Sequence, residues 1–473
     1  MSITFSLLVH FVLQMLTGLR ALTRRGRSPA SRAAWLLLVL ALPGLGVVLY
    51  FLFGETNIGA RTRRRMNAAT KRLAGPSEMS EAAVVLPAQF SQVFARAAAV
   101  NGFQPAGGNR ATVEPEGDGA FTALIADIDK ATAHVHLLFY IWLDDNNGSA
   151  VLDAVERAAA RGVTCRLLID GMGSRALARS ERWIALRKKG IRTAITFQMR
   201  WLFLHLFFGR VDLRNHRKIA VIDGRIAYCG SQNCADPEFR VKAKYAPWVD
   251  IFLRLEGPSV RQLQHLFAID WMTHAGEDIS TVLGPAEPVT GGFPAIVVGT
   301  GPSIDSRAIS DLFAMMLAAA EREAIISTPY FVPDETLLRA FHSAATRGVA
   351  VTLILPARND SFFVSRASRS YFGELMQSGV RIAEFQGGLL HAKTMTIDGC
   401  ATCIGSANMD RRSFELNYEN NVYLVSEEIT ADVRDRQHGY LAASRLLSHG
   451  TVEKERLWSR AVNNLFATMG PLL

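Results

Sequence analysis

Two stretches of the chain place the same polar residues at the same intervals: NHRKIAVIDGRIAYCGSQN from Asn215 and LHAKTMTIDGCATCIGSAN from Leu390. His216, Lys218, Asp223, Gly230, Ser231 and Asn233 in the first answer to His391, Lys393, Asp398, Gly405, Ser406 and Asn408 in the second. Two imidazoles can divide a displacement at phosphorus, one attacking while the other protonates the departing alkoxide. Lys218, Lys393, Asn233 and Asn408 offer positive charge and amide donors to nonbridging phosphate oxygens, with Ser231 and Ser406 as further donors. The chemistry this set can do is phosphodiester exchange through a covalent enzyme intermediate. No carboxylate cluster accompanies the histidines at metal-ligand spacing, so no metal and no other cofactor is expected.

A working imidazole needs its second nitrogen held by a hydrogen bond that fixes tautomer and orientation. Asp250, in YAPWVDIFLRLEGP, and Glu419, in RRSFELNYENNV, follow His216 and His391 by 34 and 28 residues, one per half. They are the expected orienting carboxylates.

The elements that must carry these groups are legible around them. Apolar and β-branched residues on either side of Asp-Gly predict a hairpin in each copy, with Asp223-Gly224 and Asp398-Gly399 as two-residue loops. In that register Ile397 faces Cys400, Lys393 faces Ile404 and His391 faces Ser406, so His391, Lys393, Ser406 and Asn408 share one face. The same count groups His216, Lys218, Ser231 and Asn233. Asp223 and Asp398, although members of the motif, fall at the turns, where their work is mainly structural.

The repeat extends beyond the hairpins. FTALIADIDKATAHVHLLFYIW from Phe121 matches SDLFAMMLAAAEREAIISTPYFV from Ser310, each an amphipathic helix running into an apolar strand. AAARGV and AATRGV then precede the strands CRLLID and VTLILP. The economical reading is two homologous α/β domains, 111–285 and 295–473, packed about a pseudo-twofold axis with the polar faces meeting in one cleft.

The 52 basic against 43 acidic residues give a formal charge of +9, which suits an anionic partner, lipid or nucleic acid. Ala33 to Phe53 is an uncharged run of 21 residues, the length a helix needs to cross a bilayer, with Pro43 and Gly44 placed to kink it. Ile3 to Leu19 is shorter and interrupted by His10 and Gln14, a first span or an interfacial helix. The expected N-terminal membrane segment is therefore 1–56, with one or two helices, followed by a basic juxtamembrane region and linker at 57–110. Arg20–Arg32 and Arg61–Arg72 are both basic, and the catalytic side is placed in the cytoplasm. RWLFLHLFFGR, Arg200 to Arg210, is too short to span and is read either as an interfacial dip at the cleft mouth or as a buried element. The five cysteines, Cys165, Cys229, Cys234, Cys400 and Cys403, are scattered and suit a reducing compartment.

The doubled H-x-K-x4-D-x6-G-S-x-N pattern resembles the phospholipase D superfamily from about residue 111 to the end. The closer resemblance is to bacterial cardiolipin synthases, carried by the N-terminal apolar segments, FYIWLDDNNG, NHRKIAVIDG, PWVDIFLRLEGP, STPYFVPDETL and HAKTMTIDG followed by GSANMDRRSFELNYE. That resemblance implies two phospholipase D-like domains and a phosphohistidine intermediate, with His216 as nucleophile by family habit and His391 as acid and base. It also implies phosphatidylglycerol as substrate, transfer of a phosphatidyl group to a second phosphatidylglycerol, and a place in the bacterial inner membrane. A phospholipase D or another phosphatidyltransferase is the alternative within the same chemistry, and an inactive anionic-lipid-binding scaffold the alternative outside it. A nuclease of the superfamily has no use for the apolar N-terminus, so nucleic acid is not an expected partner. Oligomeric state and acyl-chain preference leave no mark in the residues.

Overall fold

The computed structural model describes residues 3–24, 29–73, 84–198, 210–284, 287–305, 307–448, 450 and 456–468. The stretch Arg200 to Phe208, with Gly209, lies outside them, so neither reading of it is tested.

The strands of both halves form one continuous sheet. The first half contributes Arg192–Thr196, Thr164–Asp170, His134–Phe139, Ile219–Ile222, Ile226–Gly230, Phe252–Glu256 and Ala106–Val113, in that spatial order. The second continues with Phe293–Thr300, Asn417–Val425, Ala401–Gly405, Thr394–Ile397, Glu323–Ser327, Ala350–Pro356 and Arg381–Phe385, ending on the short edge strand Ser444–Leu446. Apart from that edge strand, the order in one half is the mirror of the order in the other. The seam is the antiparallel pair Ala106–Val113 and Phe293–Thr300, where Ala106 stands opposite Ala295. In each half the strand before the hairpin and the one after its first crossover helix run parallel, and the hairpin joins antiparallel.

Helices cover the sheet. Asn146–Ala160 and Glu335–Thr346 occupy equivalent places and begin alike, with Asp145 accepting from the Gly148 N–H at 3.1 Å and Asp334 from the Leu337 N–H at 2.9 Å. Pro258–His274 is buried on nearly all sides, and its Val260, Leu263, Phe267 and Trp271 belong to a core that runs through both halves.

The region read as a linker is partly core. Helix Ala60–Arg72 packs on Pro258–His274, burying Met66 and Ala69. Helix Ala88–Asn101 carries Phe90, Val93, Phe94 and Ala97 at helical spacing and packs them against Ala308–Ala319 and Phe293–Thr300. The strand of the first half starts at Ala106, ahead of the expected boundary at residue 111.

The N-terminal expectation needs correcting. Ala33–Phe53 is not one helix: Pro29–Ala41 ends, Leu45–Leu49 follows, and Tyr50–Gly54 winds with π-helical spacing. Pro43 has no N–H to continue the ladder and Gly44 adopts φ +75°, so the break is built into the sequence. Among the described residues no helix is long and apolar enough to cross a membrane. Helix Ile3–Thr23 packs on Pro29–Ala41, and Gln14 donates from its side chain to the Val39 carbonyl at 2.7 Å. Where Arg20 meets Glu55 (3.0 Å), the helical pair is fastened to the chain leaving it. Its outer surface is apolar, with Leu8, Phe11, Leu16, Leu19, Leu37 and Leu45 each more than half exposed.

The hairpin loops also differ from expectation by one residue. Ile397 pairs with Ala401 and Thr394 with Ile404, as Ile222 pairs with Ile226 and Ile219 with Cys229. The Cys400 and Arg225 N–H groups close turns on Ile397 and Ile222 at 3.0 Å, so each loop holds three residues. Asp398 and Asp223, both at φ +53°, lead these loops into the left-handed region and the following glycines continue it.

Each motif aspartate anchors its turn to the start of the neighbouring strand. Asp223 accepts from the Thr132, Ala133 and His134 N–H groups, each at 2.8 Å. Asp398 accepts from Glu321, Arg322 and Glu323 at 2.8–2.9 Å and from the Gln89 amide at 2.7 Å. Removing either acceptor strands several backbone donors without touching the cleft. Asp223→Ala and Asp398→Ala are expected to lower unfolding stability by roughly 1–3 kcal/mol while leaving the turnover of folded enzyme within about threefold of the parent. Denaturation midpoints and specific activity measured side by side check this.

Candidate active site

His216 and His391 lie where short strands of the two halves cross. Arg214–Asn215 pairs in parallel with Asn417–Tyr418, and Leu389–Leu390 with Trp248–Val249. The His216 N–H donates to the Tyr418 carbonyl at 2.9 Å, and the His391 N–H to the Val249 carbonyl at 2.8 Å. Each histidine is thus pinned at its backbone by the other half, next to that half's carboxylate.

The side chains follow. His216 Nδ1 lies 2.8 and 3.0 Å from the two oxygens of Glu419, and His391 Nδ1 lies 2.6 Å from Asp250. Pairing within each half, which the one-per-half spacing suggested, is replaced by pairing across the halves. The sequence shows that each half has a histidine and a carboxylate; only the strand crossings decide which meets which.

The serines take a different role from the expected one. Ser231 Oγ donates to Asp250 at 2.5 Å and accepts from the Ile251 N–H at 3.0 Å. Ser406 Oγ donates to Glu419 and accepts from the Asn420 N–H at 3.0 Å. Both hydroxyls are fully buried and committed to the orienting carboxylates, one bond further from phosphorus than expected. The preceding glycine makes this possible: Gly230 sits at φ +154°, and a Cβ there would collide with the Ile251 carbonyl. Sharing of a strand face by alternation therefore does not explain the cluster. Lys393 stands opposite Gly405, whose N–H reaches the Lys393 carbonyl at 3.4 Å, and the residues after that glycine leave the ladder.

Lys218 and Lys393 are buried beneath the histidines and donate to the His216 and His391 carbonyls at 2.6 and 2.5 Å. Asn233 accepts the Ile141 N–H at 3.2 Å, which commits its oxygen and leaves its nitrogen as the end with protons to give. Asn408 holds the equivalent place, its own N–H on Ser413 Oγ at 3.1 Å. Asp223 and Asp398 stand at the far ends of the hairpins, bonded to backbone as described above.

Burial controls the charges. It pulls His216 down to about 4 even with Glu419 alongside, and it lowers His391 as well. Lys218 falls to about 7 through burial, with repulsion from Lys393 added, and Lys393 falls to about 8 through burial. Burial alone would raise the carboxylates, but His391 and Lys393 hold Asp250 at about 2, and His216 and Lys218 keep Glu419 below its ordinary value. An ionised carboxylate can only accept, so the proton of each neutral imidazole sits on Nδ1 and Nε2 carries the lone pair.

Several groups at the site were not singled out by spacing. The Tyr140 ring stands edge-on to His216 with centroids 4.8 Å apart, and Trp248 leans on His391 at 4.6 Å. Arg217, between His216 and Lys218, is fully buried, with Nη1 on Asp270 at 2.8 Å and its other nitrogens on the Glu419 and Thr300 carbonyls at 3.1 Å. The aromatic pairs of FYIW and STPYFV were the available signal for Tyr140. Arg217 had none, because Ala392 occupies its place in the second motif.

Two inward-facing imidazoles, each backed by a carboxylate from the other half and flanked by a buried lysine, define a phospholipase D-like site on a duplicated α/β fold. Solved structures share that fold. Phosphatidylserine synthase of Haemophilus influenzae superposes with a TM-score of 0.53 at 14% identity, covering 76% of this chain and 92% of that one. Polyphosphate kinase of Porphyromonas gingivalis gives 0.50 at 12% identity, covering 82% and 56%. The model of the cardiolipin synthase, phospholipase D-like domain matches residues 124–271 and 313–438, and a phospholipase D-nuclease N-terminal model matches 12–55. Cardiolipin synthases A of Yersinia pseudotuberculosis and Yersinia pestis are each 36% identical over 469 residues, 96% of this chain and 95% of theirs. The chain belongs to the cardiolipin synthase family of phospholipase D-like proteins.

The electrostatics predict an acid limb in kcat/KM set by His216, with activity lost as pH falls toward about 4 and its Nε2 lone pair is protonated. Glu419 raises the pKa of His216 and Lys218 lowers it. Glu419→Gln should therefore move the limb to lower pH and Lys218→Met to higher pH, each with reduced turnover. Opposite displacements in measured pH–rate profiles are the expected outcome.

Proposed function

We infer that the chain is a phosphatidyltransferase that makes cardiolipin and glycerol from two molecules of phosphatidylglycerol. The observation that carries the reading is the crossed pair of imidazoles, each held at Nδ1 by the other half's carboxylate. The family membership supplies the lipid class.

In the first step His216 Nε2 attacks phosphorus of one phosphatidylglycerol. The bond to the headgroup glycerol oxygen breaks, and His391 gives that oxygen its proton, so glycerol leaves and phosphatidyl-His216 remains. His391, now neutral, takes a proton from a headgroup hydroxyl of a second phosphatidylglycerol, whose oxygen attacks phosphorus and frees His216. Lys218, Lys393, Asn233 and Asn408 face the nonbridging oxygens throughout. The incoming phosphate anion also raises the pKa of the imidazole that must act as acid, so protonation of His391 is coupled to substrate entry. His216 suits the nucleophile because burial drives it down to about 4, toward its free base.

The acceptor must be an alcohol rather than water, and the apolar outer face of the N-terminal helices supports a place in the bacterial inner membrane where that alcohol is concentrated. We place the catalytic halves on the cytoplasmic side, with phosphatidylglycerol and other anionic phospholipids as partners.

Purified protein with phosphatidylglycerol in mixed micelles is expected to yield cardiolipin and glycerol, and His216→Ala and His391→Ala to yield neither. Phosphatidic acid without cardiolipin would make the chain a hydrolase instead. A phosphatidyl p-nitrophenyl ester, whose leaving group needs no acid, separates the two histidines. His391→Ala should still form the covalent phosphatidyl-enzyme from it, while His216→Ala should form none.

A further inference from the structure

Besides the N-terminal helices, a second apolar surface reaches solvent beside the cleft. It is built by the start of helix Phe362–Gln377 and by helix Leu457–Thr468. Phe466 is set edge-on against Phe362 and Phe363, with centroids 5.6 and 5.1 Å apart, which fixes the two helices together. On the outward side Leu457, Trp458, Ala461 and Leu465 recur at helical spacing. Trp458 is 79% exposed, Leu465 60% and Phe362 58%. A tryptophan and a leucine so open to water, continuous with two half-open phenylalanines, are the mark of a contact surface rather than of scattered surface residues.

Its surroundings are cationic. Arg358 and Arg460 are exposed, and the Arg366 guanidinium lies 5.3 Å from the Phe362 ring centroid. Across the cleft, Arg240, Lys242 and Lys244 project with Val241 from the short helix Arg240–Tyr245. Lys242 and Tyr330 both donate to Asp360, at 2.5 and 2.6 Å, two residues before Phe362.

The surface is mounted on the catalytic residues. Ser368 of its helix donates to the Phe331 carbonyl at 2.8 Å, and Phe331–Val332 pairs in parallel with Met409–Asp410, directly after Asn408. The N-terminal helices arrive at the adjoining residue: the Arg210 N–H donates to the Asn57 carbonyl at 2.9 Å, Arg210 holds Asp212, and Asp212 takes Arg412 at 3.2 Å. Both apolar surfaces are therefore attached at the same end of the sheet as His216 and His391.

We propose that the surface formed by Phe362, Phe363, Trp458 and Leu465 is a second lipid contact, which lays the C-terminal half on an anionic bilayer at the mouth of the cleft. Aromatic rings with an arginine fringe suit the level of anionic headgroups, where the rings reach the acyl boundary and the guanidinium groups meet phosphate. The contact lets the headgroup of either substrate reach the histidines while its acyl chains stay in the bilayer. This rests on the membrane placement given above.

The test uses the full chain reconstituted in phosphatidylglycerol bilayers with brominated acyl chains, which quench nearby tryptophans. A quenched share of fluorescence that disappears in Trp458→Phe is expected. A quenched share that disappears in Trp35→Phe but not in Trp458→Phe would overturn the second contact and leave the membrane placement standing. Quenching that neither substitution lowers would likewise overturn the second contact, and absence of quenching in the parent would mean that the placement itself fails. In parallel, the double variant Trp458→Asp, Leu465→Asp should turn over bilayer phosphatidylglycerol about tenfold more slowly and detergent-dispersed phosphatidylglycerol at the parent rate. Equal rates on bilayers, or equal loss on both substrates, would sink the proposal. So would a parent dimer that the double variant loses in light scattering, since the stripe would then belong to a second copy.

Discussion

Everything at this site depends on the crossed pairing of imidazole and carboxylate. Glu419 belongs to the strand that borders the seam, standing opposite Thr300, and it orients the histidine of the other half. Asp250 does the same in reverse. Neither half contains a histidine with its own orienting acid, so a half folded alone would present an imidazole free to choose its tautomer. The seam between Ala106–Val113 and Phe293–Thr300 is thus part of what assembles the site. Duplication with retained polar spacing follows from this constraint, since each copy must keep a histidine for one half of the job and a carboxylate for the other.

The same constraint explains how so much charge is buried. Two lysines and two carboxylates cancel formally, and each carboxylate also takes a serine hydroxyl and an imidazole N–H. Buried ions persist when their remaining hydrogen-bonding capacity is met, and here it is met by backbone carbonyls beneath the lysines and by the serines beside the acids. Burial holds both lysines below their ordinary pKa values even with Asp250 and Glu419 alongside.

The sequence made the duplication, the α/β class and the identity of the polar residues legible, because each is a matter of local pattern. It misplaced what depends on one residue of register. Asp-Gly reads as a two-residue loop, yet the left-handed aspartate and glycine carry Cys400 and Arg225 into a three-residue loop, and the ladder moves by one. Ser231 and Ser406 were assigned to phosphate because their type allowed it, whereas the turn after each glycine gives them to Asp250 and Glu419. Hydropathy made Ala33–Phe53 one span kinked at Pro43 and Gly44, and those residues instead end one helix before the next begins. Crossed pairing is a tertiary fact, which no count along the chain contains.

The halves are homologous without being equivalent, and the difference falls next to His216. Arg217 ties the first motif to the carbonyls of Glu419 and Thr300 and to Asp270, while the second motif has only Ala392 at that position. A buried guanidinium clamped to the strand of the orienting acid resists displacement, and it is a tie that Ala392 cannot make for the second motif. The duplicated site is therefore asymmetric at the seam, beneath the residues that the repeat keeps alike.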